Sequence, residues 1–265
     1  MLPRMTPKSF CALFPTGPLL LVRWCPLNVQ GSLLEIARHT IDQSHNERHN
    51  SIQAPVVAIS LKYEPFFDEI YADLLTRLRP KADIQWGKQS SSALSLIQQS
   101  PPPTAVLITD AALTEESPEV WDAIIAYVGQ GGTAIAMAHF SSFVKPNKIR
   151  PFFAKAGLAW ESGDYHWTAV TLHQQIAGSA AERLPTQYSQ KARFPKVVHL
   201  HAILYGPNET SVTESRVFPT EKVTNSTQAA DCFAQVRNGK MGYVGDVNAE
   251  EETNDVILAM CGLLV

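Results

Sequence analysis

Three side chains able to move a proton, Asp110, His139 and Asp246, each stand immediately after a short apolar run: TAVLIT, TAIAMA and GYVG. An imidazole supported by a carboxylate is a common arrangement for general acid–base catalysis near neutral pH. His139 is the natural general base of such a set, with Asp110 or Asp246 to orient it, and the reaction would be that of a hydrolase or an isomerase. Hydrogen-bonding groups stand at matching places: Tyr63 and Glu64 after the first apolar run, Ser141 and Ser142 beside His139, and Asn248 beside Asp246. Carboxylate, amide and hydroxyl groups of this kind bind small polar molecules, sugar-like or carboxylate-bearing. The same residues have a plainer use, since Asp110 and Asn248 also suit helix caps and Glu64 suits solvent. On that alternative the chain is a non-catalytic scaffold, or a dimerisation and interaction module.

Other chemistries find no support. There is no GxSxG element for a serine-hydrolase elbow. The glycines of Gly129-Gln130-Gly131-Gly132 precede an apolar run, whereas a phosphate-binding loop follows a strand. Cys11, Cys25, Cys232 and Cys261 include no CxxC pair, which argues against a structural zinc site or a disulfide framework. His199 and His201, two residues apart on an expected strand, would present both imidazoles on one face. No third ligand stands at a recognisable spacing, so neither a metal nor another cofactor is expected.

The elements that must position these residues follow from periodicity. VVAISL (56–61) and TAIAMA (133–138) read as buried strands, and ADIQW (82–86) and TAVLITD (104–110) as strands between them. Between them lie helical patterns: Phe66 to Leu78, then a run capped from Ser90–Ser92, then one opened by Ser117-Pro118. Strands alternating with helices through short connections predict a doubly wound, mostly parallel α/β sheet of flavodoxin-like type, with helices on both faces. In such sheets ligands bind outside the carboxyl ends of the strands, where the candidate residues would gather. Further on, 147–156 reads as a short helix, 158–172 as a strand or hairpin turning at Ser162-Gly163-Asp164, and 197–204 as a strand. Asp164 to Trp167 would form a loop near the crevice. Residues 207–230 form a polar surface excursion, Asn238-Gly239 marks a C-terminal β-hairpin, and Asn248 is placed to cap a last helix.

A net charge of -3 gives no electrostatic footprint for nucleic acid, and no apolar run is long enough to span a membrane. A small polar molecule is the expected partner, and a homodimer is compatible with the sequence. Scattered cysteines suit a reducing, cytoplasmic compartment, with mitochondrial import through the basic, acid-poor start as the alternative. Residues 1–53 read as an irregular or disordered N-terminal extension, and 54–265 as the α/β domain.

Over residues 55–265 the order of elements, the Gly-Gly before the fourth strand and the closing strand–loop–helix resemble the class I glutamine amidotransferase-like superfamily, particularly its ThuA-like branch. The resemblance implies a nucleophile elbow with a cysteine after the fourth strand, but here the matching positions hold Ala138 and His139. The family's closing strand ends in His-Pro-Glu, whereas this chain has Gly245-Asp246-Val247-Asn248-Ala249-Glu250. A glutaminase needs a thiolate and an adjacent base, so that activity is not expected. A histidine following the Gly-Gly strand, as His139 does, resembles the ThuA-like pattern.

Overall fold

The structure, a computed structural model, describes residues 54–264 apart from 216 and 224–226. The N-terminal extension read over residues 1–53, and the import signal considered there, lie outside the described residues. Ten strands follow in chain order: β1 (Ala54–Ile59), β2 (Ala82–Gly87), β3 (Ala105–Ile108), β4 (Thr133–Ala136), β5 (Glu161–Leu172), β6 (Gln187–Lys196), β7 (Ile203–Gly206), β8 (Thr213–Glu214), β9 (Asp231–Val236) and β10 (Gly239–Val244). The helices are α1 (Phe67–Ile70), α2 (Ala72–Leu78), α3 (Ser90–Ile97), α4 (Pro118–Gly129), α5 (His139–Phe143), α6 (Pro146–Lys155), α7 (Gln174–Ala177) and α8 (Glu251–Met260).

One sheet runs β2-β1-β3-β4-β10-β9-β7-β5-β6, with β8 beside β5. From β2 to β10 every pairing is parallel, and from β10 onward every pairing is antiparallel. The β-strand period of two explains how this sheet is covered. Val57 and Ile59 face one apolar cluster with Ile97, Trp121 and Ile124. Val56 and Ala58 face another with Leu74, Leu78, Val256 and Ile257. A sheet buried on both faces needs helices on both, and the parallel strands are accordingly apolar almost throughout.

The β9–β10 hairpin forms where the Asn238-Gly239 signal predicts one, but its turn residues are Arg237 and Asn238, and Gly239 already pairs with Val236. Gly239 has a second task, because a Cβ there would lie 2.2 Å from the carbonyl oxygens of both Val128 and Gly132. The hairpin can therefore seat against the α4–β4 turn only with glycine at this position.

Several local expectations change. The helix over 66–78 is broken at Tyr71 into α1 and α2. The segment expected to turn at Ser162–Asp164 is one strand, β5, with a register irregularity between Ser162 and Tyr165. Asp164 to Trp167 thus belong to that strand and do not form a loop. The strand expected over 197–204 starts only at Ile203; His199 precedes and His201 lies within a 3-10 turn, their exposed rings stacked 5.3 Å apart. Strand β6 has no counterpart in the sequence reading. Its inward positions, Tyr188, Gln190, Ala192 and Phe194, include an amide and a methyl, which hides the apolar alternation.

β6 also turns back on the chain leaving β10. Arg193 N donates to Gly245 O at 2.9 Å, Val247 N donates to Lys191 O at 3.0 Å, and Ala192 bridges Asp246. This closure encloses a polar knot around Asp231, which is fully buried. Asp231 accepts hydrogen bonds from Tyr188 Oη (3.0 Å), Gln190 Nε2 (3.3 Å) and Gly245 N (3.3 Å).

Candidate functional site

Strands β3, β4 and β10 are neighbours running the same way, so the turns after them emerge side by side. Asp110, His139 and Asp246 therefore share the carboxyl end of the sheet, and all three are buried.

The turn after β4 is an elbow. Ala138 has φ 59° and ψ -127°, a conformation costly for any residue with a Cβ, and α5 begins at the next residue. α5 is fastened from its inner side. Ser141 Oγ donates to Val244 O on β10, and Arg193 Nε donates to Ser141 O at 3.1 Å. The Ser141 hydroxyl, a candidate ligand group, is thus fully buried and engaged with backbone. Ser142 is half-buried on the same short helix.

His139 does not open onto solvent. Its ring is 3% exposed and lies edge-on among Phe66 (5.1 Å between centroids), Phe67 (5.3 Å), Tyr71 (5.4 Å) and Phe143 (5.4 Å). Its Nε2 is buried without a hydrogen-bond partner. Burial pushes the imidazole below its usual range, against the opposing pull of the nearby Glu64 and Asp110 carboxylates. Tyr71, in the same box, is pushed up by burial and then by the charge of Asp246. The histidine is held neutral inside an aromatic enclosure whose lid is Phe66 and Phe143.

Both carboxylates expected to orient His139 hold backbone. Asp110 Oδ2 accepts Lys62 N at 2.8 Å and Ser60 Oγ at 3.2 Å, while Oδ1 accepts Ala112 N at 2.9 Å. It ties the loop after β1 to the loop after β3. Asp246 Oδ1 accepts Asn248 N at 2.7 Å, and Oδ2 accepts Glu250 N at 2.8 Å. Asp246 therefore organises the entry to α8, the capping role assigned to Asn248. Asn248 itself is exposed and donates its side-chain amide to Glu250. Burial pushes the Asp246 carboxyl up, and the backbone donors around it pull in the other direction.

The open space at this rim lies beside the box. A cleft of about 350 Å³ between the loops after β1 and β3 is bounded by Glu64, Asp110, Lys62, Glu115, Lys145 and Phe143. Lys145 pairs with Glu115 at 2.7 Å, and Lys62 pairs with Glu116 at 2.6 Å. Glu64 makes no ion pair among the described residues. Tyr63 faces away, into a separate cleft of about 340 Å³ along β2 with Trp86 and Lys88, whose ammonium sits 3.5 Å over the tyrosine ring. The structure thus gathers Glu64, Asp110 and Phe143 at one cleft and leaves Tyr63, His139, Ser141, Ser142, Asp246 and Asn248 out of its lining.

Lys62, Glu115 and Lys145 were not anticipated, since a single lysine or glutamate in a loop carries no periodic signal. In the sequence, the box residues Phe66 and Phe67 read as core positions of a helix. The adjacent pair of phenylalanines at the end of the loop was the available hint. Among the described residues no group of three His, Cys, Asp or Glu side chains is arranged to hold a metal ion. Within them, no helix is long and apolar enough to cross a membrane.

No protein-family model matches the sequence, and no curated protein matches it. Solved structures do match. A ThuA-like protein from Bacteroides uniformis superposes with a TM-score of 0.51 at 10% identity, over 80% of this chain and 91% of that one. A β-galactosidase from Bacillus circulans gives 0.49 at 14% identity, over 79% of this chain and 31% of that one. A cytoplasmic protein from Salmonella typhimurium gives 0.47 at 13% identity, over 79% and 98%. At such identities the likeness is one of architecture. The chain has a ThuA-like α/β fold, and alanine occupies its elbow after β4.

Proposed function

We propose that this domain binds a small polar molecule, sugar-like or carboxylate-bearing, without covalent chemistry, in the cleft between the loops after β1 and β3. One observation carries the reading. The cleft lies at the carboxyl ends of parallel strands, where such sheets take ligands, and it combines a carboxylate with no ion pair among the described residues (Glu64), two ammonium groups held by neighbouring glutamates and an exposed aromatic face (Phe143). Hydroxyl groups satisfy carboxylates and ammonium groups alike, and the apolar face of a sugar ring packs on an aromatic side chain. Acid–base processing by His139 is not part of the reading, because its ring is enclosed and both neighbouring aspartates are engaged with backbone.

The test is a thermal-shift panel of sugars, sugar acids, small carboxylates and amides on wild type, Glu64→Gln and Phe143→Ala. The expected result is at least one compound that raises the wild-type melting temperature and leaves both variants unmoved. A broad panel with no effect on wild type overturns the reading.

A second reading, a protein-interaction surface, is favoured by Phe66, Ile70 and Phe143, which are 40%, 45% and 55% exposed. Two of them form the lid over His139. On this reading Phe143→Asp changes the mass of the particle in light scattering, and small molecules do nothing.

A further inference from the structure

A cavity larger than the cleft beside Glu64 lies away from the carboxyl rim. It lies at the opposite end of the sheet, a groove of about 440 Å³ over the starts of β4 and β10 and the adjoining part of β9, between α7 and the last turn of α8. Its origin is local. α8 stops at Met260, and Gly262, at φ 71°, closes it by donating its N–H to Ala259 O, while Leu263 N donates to Leu258 O. That turn satisfies the last carbonyls and ends the helix before it covers the strand ends. The four residues of α7 are too few to cover the remainder.

The groove is amphipathic. Ile176, Leu184, Leu204, Phe233 and Met260 supply an apolar wall and floor, and Thr133, Ser179 and Gln235 supply polar edges. Gly242 lets the floor lie flat, because a Cβ there would come 3.0 Å from Met260 Sδ. The charge is one-sided. The lining includes one cation, Lys240, and no carboxylate. The Cys261 thiol, pushed up to about 12 by burial, stays neutral. Lys240 lies across from Gln235 on β9, with its ammonium 4.7 Å from the Phe233 ring centre, and it makes no ion pair among the described residues. A cation held over an aromatic ring at the mouth of an apolar groove is half of a binding site whose other half is an anion with a hydrocarbon body.

We infer that this groove binds a small amphipathic carboxylate, with the carboxylate on Lys240 and the hydrocarbon part along Ile176, Leu204 and Met260. The size is within the range of small-molecule sites. The site is independent of the cleft beside Glu64, which lies at the other end of the strands.

The experiment uses the full chain with octanoate below its micellar range, and octanol and octylammonium as chain-matched neutral and cationic probes, read by calorimetry and thermal shift. Saturable octanoate binding, with octanol weaker by about tenfold or more and octylammonium not binding, is the expected result. Lys240→Met, which keeps the hydrocarbon stem, abolishes the preference for octanoate over octanol, and Lys240→Arg retains it. Ile176→Glu blocks octanoate, while Phe143→Ala leaves it unchanged. Circular dichroism of each variant shows whether it is folded. Equal binding of octanoate and octylammonium, undiminished binding by Lys240→Met, or no saturation overturns the inference.

Discussion

The ring of Phe143 stands 5.4 Å from that of His139, edge to face, and the phenylalanine is 55% exposed where the histidine is 3% exposed. One side chain therefore spends its own solvent exposure on keeping water from the other. Phe143→Ala should let water reach the imidazole, and its pKa should rise toward the ordinary histidine value of about 6.5. Histidine resonances followed by NMR across pH 4 to 8 measure this. A depressed folded-state pKa means that the wild type loses stability as pH falls past the unfolded value and on through the folded one. The variant should lose less over that window. An unchanged His139 titration in Phe143→Ala would show that the deeper box residues alone control it.

The two aspartates should behave as fasteners and not as catalysts. Asp110→Ala removes an acceptor from two backbone amides and one hydroxyl, and should cost about 2–4 kcal/mol in urea unfolding. Asp246→Ala removes the donor-gathering group ahead of α8 and should cost about 1–2 kcal/mol. Hydrogen exchange should quicken at Asn248, Glu250 and the first turn of α8. An Asp110→Ala protein as stable as wild type would contradict the role assigned to that carboxylate.

Asp231 gives a stability profile with the opposite slope to that of His139. Burial pushes its carboxyl up to about 7, against the pull of Gln190 and Tyr188. A folded-state value above the unfolded one of about 3.9 means that its stabilising share is full below pH 4. That share is lost as pH rises to 7. Asp231→Asn imitates the protonated acid, with the amide oxygen available to Gln190 and Gly245. The variant should melt several degrees above wild type at pH 8 and close to it at pH 4, a difference on the order of a few kcal/mol. Parallel melting curves at the two pH values would refute a titrating Asp231.

Relief of the elbow is measurable as well. Ala138→Gly places a residue without a Cβ at φ 59°, ψ -127°. The strain removed, about 1–3 kcal/mol, exceeds the value of one buried methyl, about 0.8 kcal/mol. The variant should therefore be more stable by about 1 kcal/mol. Lower stability would show that the methyl's packing outweighs the backbone strain.

What the sequence revealed depended on periodicity. β1, β3 and β4 are apolar on both faces and appear as uninterrupted runs, and β2 shows by its place between two helical patterns, so their order and the rim they build were readable. β6 was not, because its inward face includes Gln190, a polar residue tolerated only because Asp231 comes from another strand to meet it. Long-range partners of this kind leave no local trace. The same holds for the candidate site. That Asp110 and His139 share a rim follows from parallel neighbouring strands. That Asp110 faces Lys62 N, and that His139 is enclosed by residues from α1 and α2, depends on how a loop folds over the strand ends. Phe66 and Phe67 fit a helical core pattern equally well whether they cover leucines or an imidazole.

The return of β6 onto residues 245–247 has a consequence for how this molecule meets its surroundings. A long twisted sheet ordinarily ends in two rows of unsatisfied amides, each a template for a neighbour's strand. Here the row on β6 from Lys191 to Arg193 is spent on the protein's own backbone, so among the described residues β2 is the border left fully unpaired. That border has an exposed Asp83, a half-buried Gln85 that donates to it, and lysines at 81 and 88 on either side. An approaching strand would have to desolvate those charged and amide groups to dock, which disfavours stacking of copies edge to edge.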